Sequence, residues 1–195
     1  MTYTEEIEYR KAIMSKAQSG EKITSEERLW LVSHPLYNSQ LGYPYLNSDI
    51  IALAPDANYH VKIKIEKNLY SGRILPVINV PGGKGKINTD IPTFNYNGKP
   101  SSGKDLKMLA LMFESECNEI EIDYCSSTGK LGISFECEYF DDKQGLIIRK
   151  NSNVGDPNYS MIRKNLSENE VLYRCKPPKT DNYESFVFSV TWSKI

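Results

Sequence analysis

Between Asp105 and Phe140 the chain carries three hydrophobic runs, LKMLALMF, EIEIDYC and GISFECEYF, separated by short polar turns. The second and third alternate cleanly. Ile120, Ile122 and Tyr124 fall on one side, with Glu119, Glu121 and Asp123 on the other; Ile133, Phe135, Cys137 and Tyr139 oppose Ser134, Glu136 and Glu138. A period of two belongs to a strand with one dry and one wet face, because successive side chains point to opposite sides. A helix would scatter the same residues around its axis, so this segment commits the chain to a sheet. The first run is ambiguous. Residues 105–116 are good helix formers, with Leu106, Leu109, Ala110 and Phe113 at helical spacing. Its strand-forming neighbours and two apolar faces favour a central strand.

The same patterning recurs along the chain. His60, Lys62, Lys64 and Glu66 alternate with Val61, Ile63 and Ile65, and GLIIRK, YSMIRKNL, VLYRCK and ESFVFSVTW follow beyond residue 140. Arg73 to Val80 is also strand-like, but Pro76 removes a ladder donor and suits an edge or a bulge. About nine strands joined by short turns, with no helical stretch between most of them, predict an antiparallel two-sheet sandwich of jelly-roll type over residues 59–195.

The N-terminal residues read differently. Thr4 to Ser19 predicts a helix, with Ile7, Ala12, Ile13 and Ala17 as its apolar stripe and Gly20 as its stop. Thr24 then opens T-S-E-E, where Thr24 caps and Glu27 returns the bond, and Pro35 closes a second helix. Residues 1–35 are therefore expected to form a helical hairpin, and residues 36–58 an irregular, Tyr-rich linker packed on the β core. The hairpin is a possible homodimer contact. It is a poor helix-turn-helix, since Glu26 and Glu27 begin the helix that would meet DNA.

Composition excludes several classes. A formal net charge of -1 argues against a globally basic nucleic-acid binder. No apolar run approaches the ~20 residues needed to cross a bilayer. The acidic start MTYTEEIEYRK has no signal-like apolar region, so a cytoplasmic protein is expected. Cys117, Cys125, Cys137 and Cys175 lack CxxC spacing and a nearby His, which points to reduced thiols rather than a zinc site. In a secreted chain, Cys117 and Cys125 would be the pair to bridge neighbouring strands.

Two regions carry candidate chemistry. If EIEIDYC and GISFECEYF pair through the turn at residues 126–130, Glu119, Glu121, Asp123, Glu136 and Glu138 crowd one surface. The strip Lys62 and Lys64 could neutralise them by cross-strand pairing. A calcium ion on Glu121, Asp123, Glu136 and Glu138 is the metal alternative, although the chain has no DxDxDG loop. Paired carboxylates also raise a glycosidase-type, carbohydrate-processing alternative. The second region, residues 81–107, is Gly- and Lys-rich. Gly98-x4-Gly103-Lys104 has P-loop spacing, but Asp105 stands where a magnesium-binding Ser or Thr belongs. His34 and His60 lie in no catalytic signature.

The sequence therefore predicts a non-enzymatic binding or interaction protein with no cofactor. A protein or carbohydrate partner would be engaged through loops on a rigid sandwich, by Tyr43, Tyr45, Phe94 and Tyr96 together with Lys84, Lys86, Lys99 and Lys104.

Overall fold

In the computed structural model the period-two runs become strands, and the described residues are 3–27, 30, 46, 48–91, 93–94, 100–101, 103–113, 117–152, 160–180 and 182–195. The chain divides into two compact units, Met1–Tyr43 and Pro44–Ile195.

In the first unit, helix α1 spans Tyr3–Gln18 and buries Ile13. It ends at Gly20, whose φ of 81° only glycine adopts without strain, and Glu21 N–H bonds back to the Lys16 carbonyl at 2.9 Å. Residues 25–27 and 30 are helical again. The expected capping box is formed: Glu27 N–H donates to Thr24 Oγ1 at 3.1 Å and Thr24 N–H to Glu27 Oε2 at 2.8 Å. Lys16 Nζ reaches the other Glu27 oxygen at 2.6 Å, and Tyr9 meets Trp30 edge-on at 4.8 Å. The hairpin is not shown as a whole, because its continuation from residue 31 lies outside the described residues.

The second unit is built of strands, in chain order β1 (Asp49–Ala52), β2 (Asn58–Asn68), β3 (Arg73–Asn79), β4 (Gly85–Asn88), β5 (Thr93–Phe94), β6 (Pro100–Ser101) and β7 (Met108–Ala110). There follow β8 (Glu119–Ser126), β9 (Lys130–Asp141), β10 (Leu146–Asn151), β11 (Ser160–Ser167), β12 (Glu170–Lys176) and β13 (Phe186–Lys194). The protein is mainly β, with two antiparallel sheets. The first has six strands in the order β11-β12-β13-β2-β8-β4. In the second, β9 is flanked by β3 and then β7 on one side, and by β1 and β10 along the other. Strands β5 and β6 pair separately.

Both sheets feed one core. Val61, Ile122, Tyr173 and Phe188 of the first sheet cluster with Ile51, Ile78, Ile133 and Phe135 of the second. Rings stack within it, Tyr173 on Phe188 at 5.1 Å. A polar tie joins the sheets as well: Asp49 on β1, 3% exposed, accepts from Tyr173 Oη at 2.6 Å and from Arg163 at 2.9 Å. Cys137 and Cys175 are buried small side chains, and burial pushes the Cys137 thiol up to about 12. No helix among the described residues is long and apolar enough to cross a membrane.

Four expectations are corrected. First, β8 and β9 do not pair although a short turn joins them. Strand β8 has β2 and β4 on its two edges and β9 has β3 and β1/β10, so the turn carries the chain from one sheet to the other. That turn is fastened to an earlier segment, with Leu53 N–H on the Gly129 carbonyl at 2.8 Å and Asp56 N–H on Ser126 at 2.9 Å. Second, the stretch 36–58 is not all linker: β1 is a sheet strand, and Leu46 bridges Met161. Third, in the described part of the run 105–116, residues 105–113, the strand is short, Met108–Ala110, with a single bridge at Leu106. Fourth, Pro76 lies inside β3 rather than on an edge strand, but β7 pairs only with Val77 to Asn79, so the missing N–H falls where that ladder ends. Cys117 and Cys125 stand before the start and near the end of extended β8, roughly 26 Å apart at 3.3 Å per residue, too far to bridge.

Candidate functional site: a polar cleft beside β4

On the wet face of the first sheet, register decides which charges meet. His60 lies opposite Asp123, Lys62 opposite Glu121 and Lys64 opposite Glu119. His60 bridges two acids, with Nδ1 3.3 Å from Asp123 and Nε2 3.1 Å from Glu121. Lys62 Nζ lies 2.8 Å from Glu119 and 3.3 Å from Glu121. The expected cross-strand neutralisation is thus present for Lys62. Lys64 departs from it and pairs with Glu66 at 3.0 Å. Hydrogen bonds to Asp123 and then Glu121 raise the His60 pKa, and the bonds from His60 and Lys62 hold the Glu121 carboxyl below its usual range.

Strand β4 continues this face, since Asn88 is directly opposite Asp123. The chain then leaves and returns: Thr89 N–H donates to the Gly103 carbonyl at 2.9 Å, Asp105 N–H to Asn88 Oδ1 at 2.9 Å, and Ile87 and Leu106 exchange backbone bonds. The return needs unusual backbone. Gly103 has φ 67° and Asp105 φ 54°, and a Cβ at Gly103 would lie 2.4 Å from the Thr89 carbonyl oxygen.

Between this return and the β2–β8 face lies an open cleft of about 570 Å³. His60, Lys86 and Lys104 line it as cations or potential cations, Asp90, Asp105, Glu121 and Asp123 as carboxylates, and Asn88 and Thr89 as neutral polar groups. Among the described residues of the lining, Ile91 and Ile122 are the apolar ones.

Of the sequence-predicted residues, Lys86 and Lys104 meet in this cleft. Lys84 is exposed outside its lining, in a turn whose carbonyl accepts from Ser127. Phe94 lies in β5, opposite Pro100. Tyr43, Tyr45, Tyr96 and Lys99 lie outside the described residues. The four calcium candidates are not brought together. Glu121 and Asp123 belong to the first sheet, whereas Glu136 and Glu138 belong to the second and face Arg149 and Arg73, at 2.7 Å from Arg149 to Glu136 and 3.6 Å from Arg73 to Glu138. Among the described residues no group of three or more His, Cys, Asp or Glu is placed to hold a metal ion. Lys104 is followed by a sheet-edge bridge at Leu106 and not by a helix, which removes the P-loop geometry. Sequence reasoning missed Asn88, Thr89, Asp90 and Asp105 as cleft groups. Their N-T-D and G-K-D surroundings signal turns, but not that the two turns meet.

Comparison with known protein families, characterised proteins and solved structures finds no match.

Proposed function

We propose that the protein is a non-enzymatic binding protein that takes a carbohydrate in the cleft beside β4. The observation that carries this reading is the density of mixed hydrogen-bonding groups around about 570 Å³ of open space. A sugar hydroxyl both donates and accepts, so it is matched by a wall where lysine donors stand among carboxylate, amide and hydroxyl acceptors. The volume lies within the range of small-molecule sites. The two sheets serve in this reading as the layers of a jelly-roll-like sandwich that holds the cleft rigid. The free thiols of Cys117, Cys125, Cys137 and Cys175 fit a reducing, cytoplasmic setting.

The glycosidase alternative is less well supported. A general acid needs a raised pKa, while Glu121 is shifted downward by His60 and Lys62. The test is a thermal-shift panel of neutral and uronate-containing oligosaccharides on the wild type and on Lys86→Ala and Asp123→Asn. A ligand at a hundredfold excess over Kd stabilises by about 2.7 kcal/mol, which is a shift of several degrees. A shift that both substitutions diminish supports the reading. A flat panel overturns it and makes a protein partner the reading to test next.

A further inference from the structure

A second cavity, of about 280 Å³, opens elsewhere on the β unit, walled by Leu69, Tyr70, Tyr139 and Phe140 with the cation Lys179 beside them. Three connections build it: the β2–β3 turn with Leu69, Tyr70 and Gly72, the end of β9 with Tyr139 and Phe140, and the segment after β12 with Lys179 and Thr180. Each is held in place. A Cβ at Gly72 would lie 2.2 Å from the Glu138 carbonyl oxygen and 2.8 Å from the Tyr70 ring, so only glycine lets the turn close against β9. Lys179 follows the buried pair Pro177 and Pro178 and adopts φ 62°, and Thr180 Oγ1 donates to the Pro177 carbonyl at 2.7 Å.

The cavity's chemistry is one-sided. Among the described residues its lining has one cation, Lys179, and no carboxylate. The ammonium donates to the Phe140 carbonyl at 2.6 Å, lies 3.2 Å from Asp142 and sits 5.4 Å from the centre of the Tyr139 ring. An ammonium has three N–H donors, so one is left over from these two oxygens. Asp142 is the weak member, its side chain 82% exposed and its attraction screened. Tyr70 presents its ring to the cavity, while its hydroxyl is buried and has no hydrogen-bond partner. At the rim Leu69 is 70% exposed and Phe140 54%, and Ile147, opposite Phe140 on β10, is 74% exposed. Apolar groups left bare around a concave site mark a place where something apolar is bound.

We propose that this cavity is a second binding site, separate from the polar cleft, for a small aromatic carboxylate. The ring would lie among Leu69, Tyr70, Tyr139 and Phe140, and the carboxylate would take the free N–H of Lys179 in competition with Asp142. This site is independent of the carbohydrate reading, and its ligand differs from a sugar in both charge and shape.

Three probes of one shape test it: phenylacetate, phenylacetamide and phenethylamine, titrated by ligand-observed NMR. Phenylacetate is expected to bind, the amide more weakly, and the amine not at all. Lys179→Gln should weaken phenylacetate about tenfold, the size of a charge-assisted hydrogen bond, and Asp142→Asn should strengthen it by removing the competitor. Should Lys179→Gln not fold, Phe140→Ala at the exposed rim gives the same test and should also weaken binding. Failure of phenylacetate to bind, equal binding of acid and amine, or unchanged affinity in Lys179→Gln and Asp142→Asn would overturn the proposal.

Discussion

The outward faces of the two sheets follow opposite rules. Along β2 and β8 the outward positions are His60, Lys62, Lys64, Glu119, Glu121 and Asp123, and none is buried. Along β3 and β9 the corresponding positions are Leu75, Val77, Gly132 and Ser134, and all are buried. Leu75 and Val77 do not belong to the core shared by the sheets, where β3 contributes Ile74 and Ile78. The middle of the second sheet is therefore dry on both faces, and the first is dry on one. The sequences differ accordingly, with HVKIKIE alternating and ILPVI running apolar without a break. A face that is wet can carry charges at little cost and is free to be part of a site. A face that is dry tolerates only apolar or small side chains.

The strongest way to break this contrast is to exchange the rules. Val77→Asp puts an unpaired carboxylate on the dry outward face and is expected to cost about 4 kcal/mol or more, with Val77→Ala as the milder form at about 2 kcal/mol. Lys62→Ala, on the wet outward face, should leave the urea midpoint almost unmoved. Similar losses for Val77→Ala and Lys62→Ala would dissolve the distinction. Next in size is Asp49, which ties the sheets through Arg163 and Tyr173. Removing it as Asp49→Ala leaves the Tyr173 hydroxyl and Arg163 Nη1 without that acceptor, and about 3 kcal/mol should be lost in urea unfolding, the low end because Arg163 is partly exposed and keeps Asn165 on its Nε. A smaller effect has the opposite sign. Ser134 Oγ is buried on the dry face with no hydrogen-bond partner, so Ser134→Ala should stabilise by about 1 kcal/mol. A loss of stability there would mean the hydroxyl has a partner and the face is not dry.

Particular residues show how far the sequence could be read. The inward sets Ile120, Ile122, Tyr124 and Ile133, Phe135, Cys137 are buried as their period requires, and the Thr24–Glu27 box forms as its spacing requires. These are local properties, fixed by neighbours in the chain. Which strands pair is not local. The short S-S-T-G turn invites a β8–β9 hairpin, yet β8 takes β2, some sixty positions earlier in the register His60↔Asp123, as its partner. Alternation names a strand's faces and says nothing of its edges. The cleft is illegible for the same reason. Lys86 and Lys104 stand out as basic loop residues, but only the pairing of β4 with β8 and the return of Gly103 to Thr89 bring them to Asp123. Strand β1, with four residues, is too short to display a period.

The smallest expected effect sharpens the account of the wet face, because it asks whether those charges interact at all. His60 is faced by Asp123 and Glu121, with Lys62 beside it on β2 and Lys86 and Lys104 across the cleft. The two acids outweigh the lysines, and the histidine pKa is raised above its ordinary 6.5. Its contribution to stability is therefore fully present below that value and is lost as pH rises through the folded pKa. Glu121 runs the other way: its lowered pKa gives a contribution present above its ordinary 4.5 and lost as pH falls through the folded value. The pair contributes most between those limits, so urea midpoints should fall slightly from pH 6 toward pH 8 by this linkage. His60→Gln should flatten that decline while leaving the midpoint at pH 8 close to that of the wild type. Salt should reduce the effect, since the pair is exposed. A decline that persists unchanged in His60→Gln would show that the charges on the wet face are neighbours without being partners, and that this face differs from the dry one only in its exposure to water.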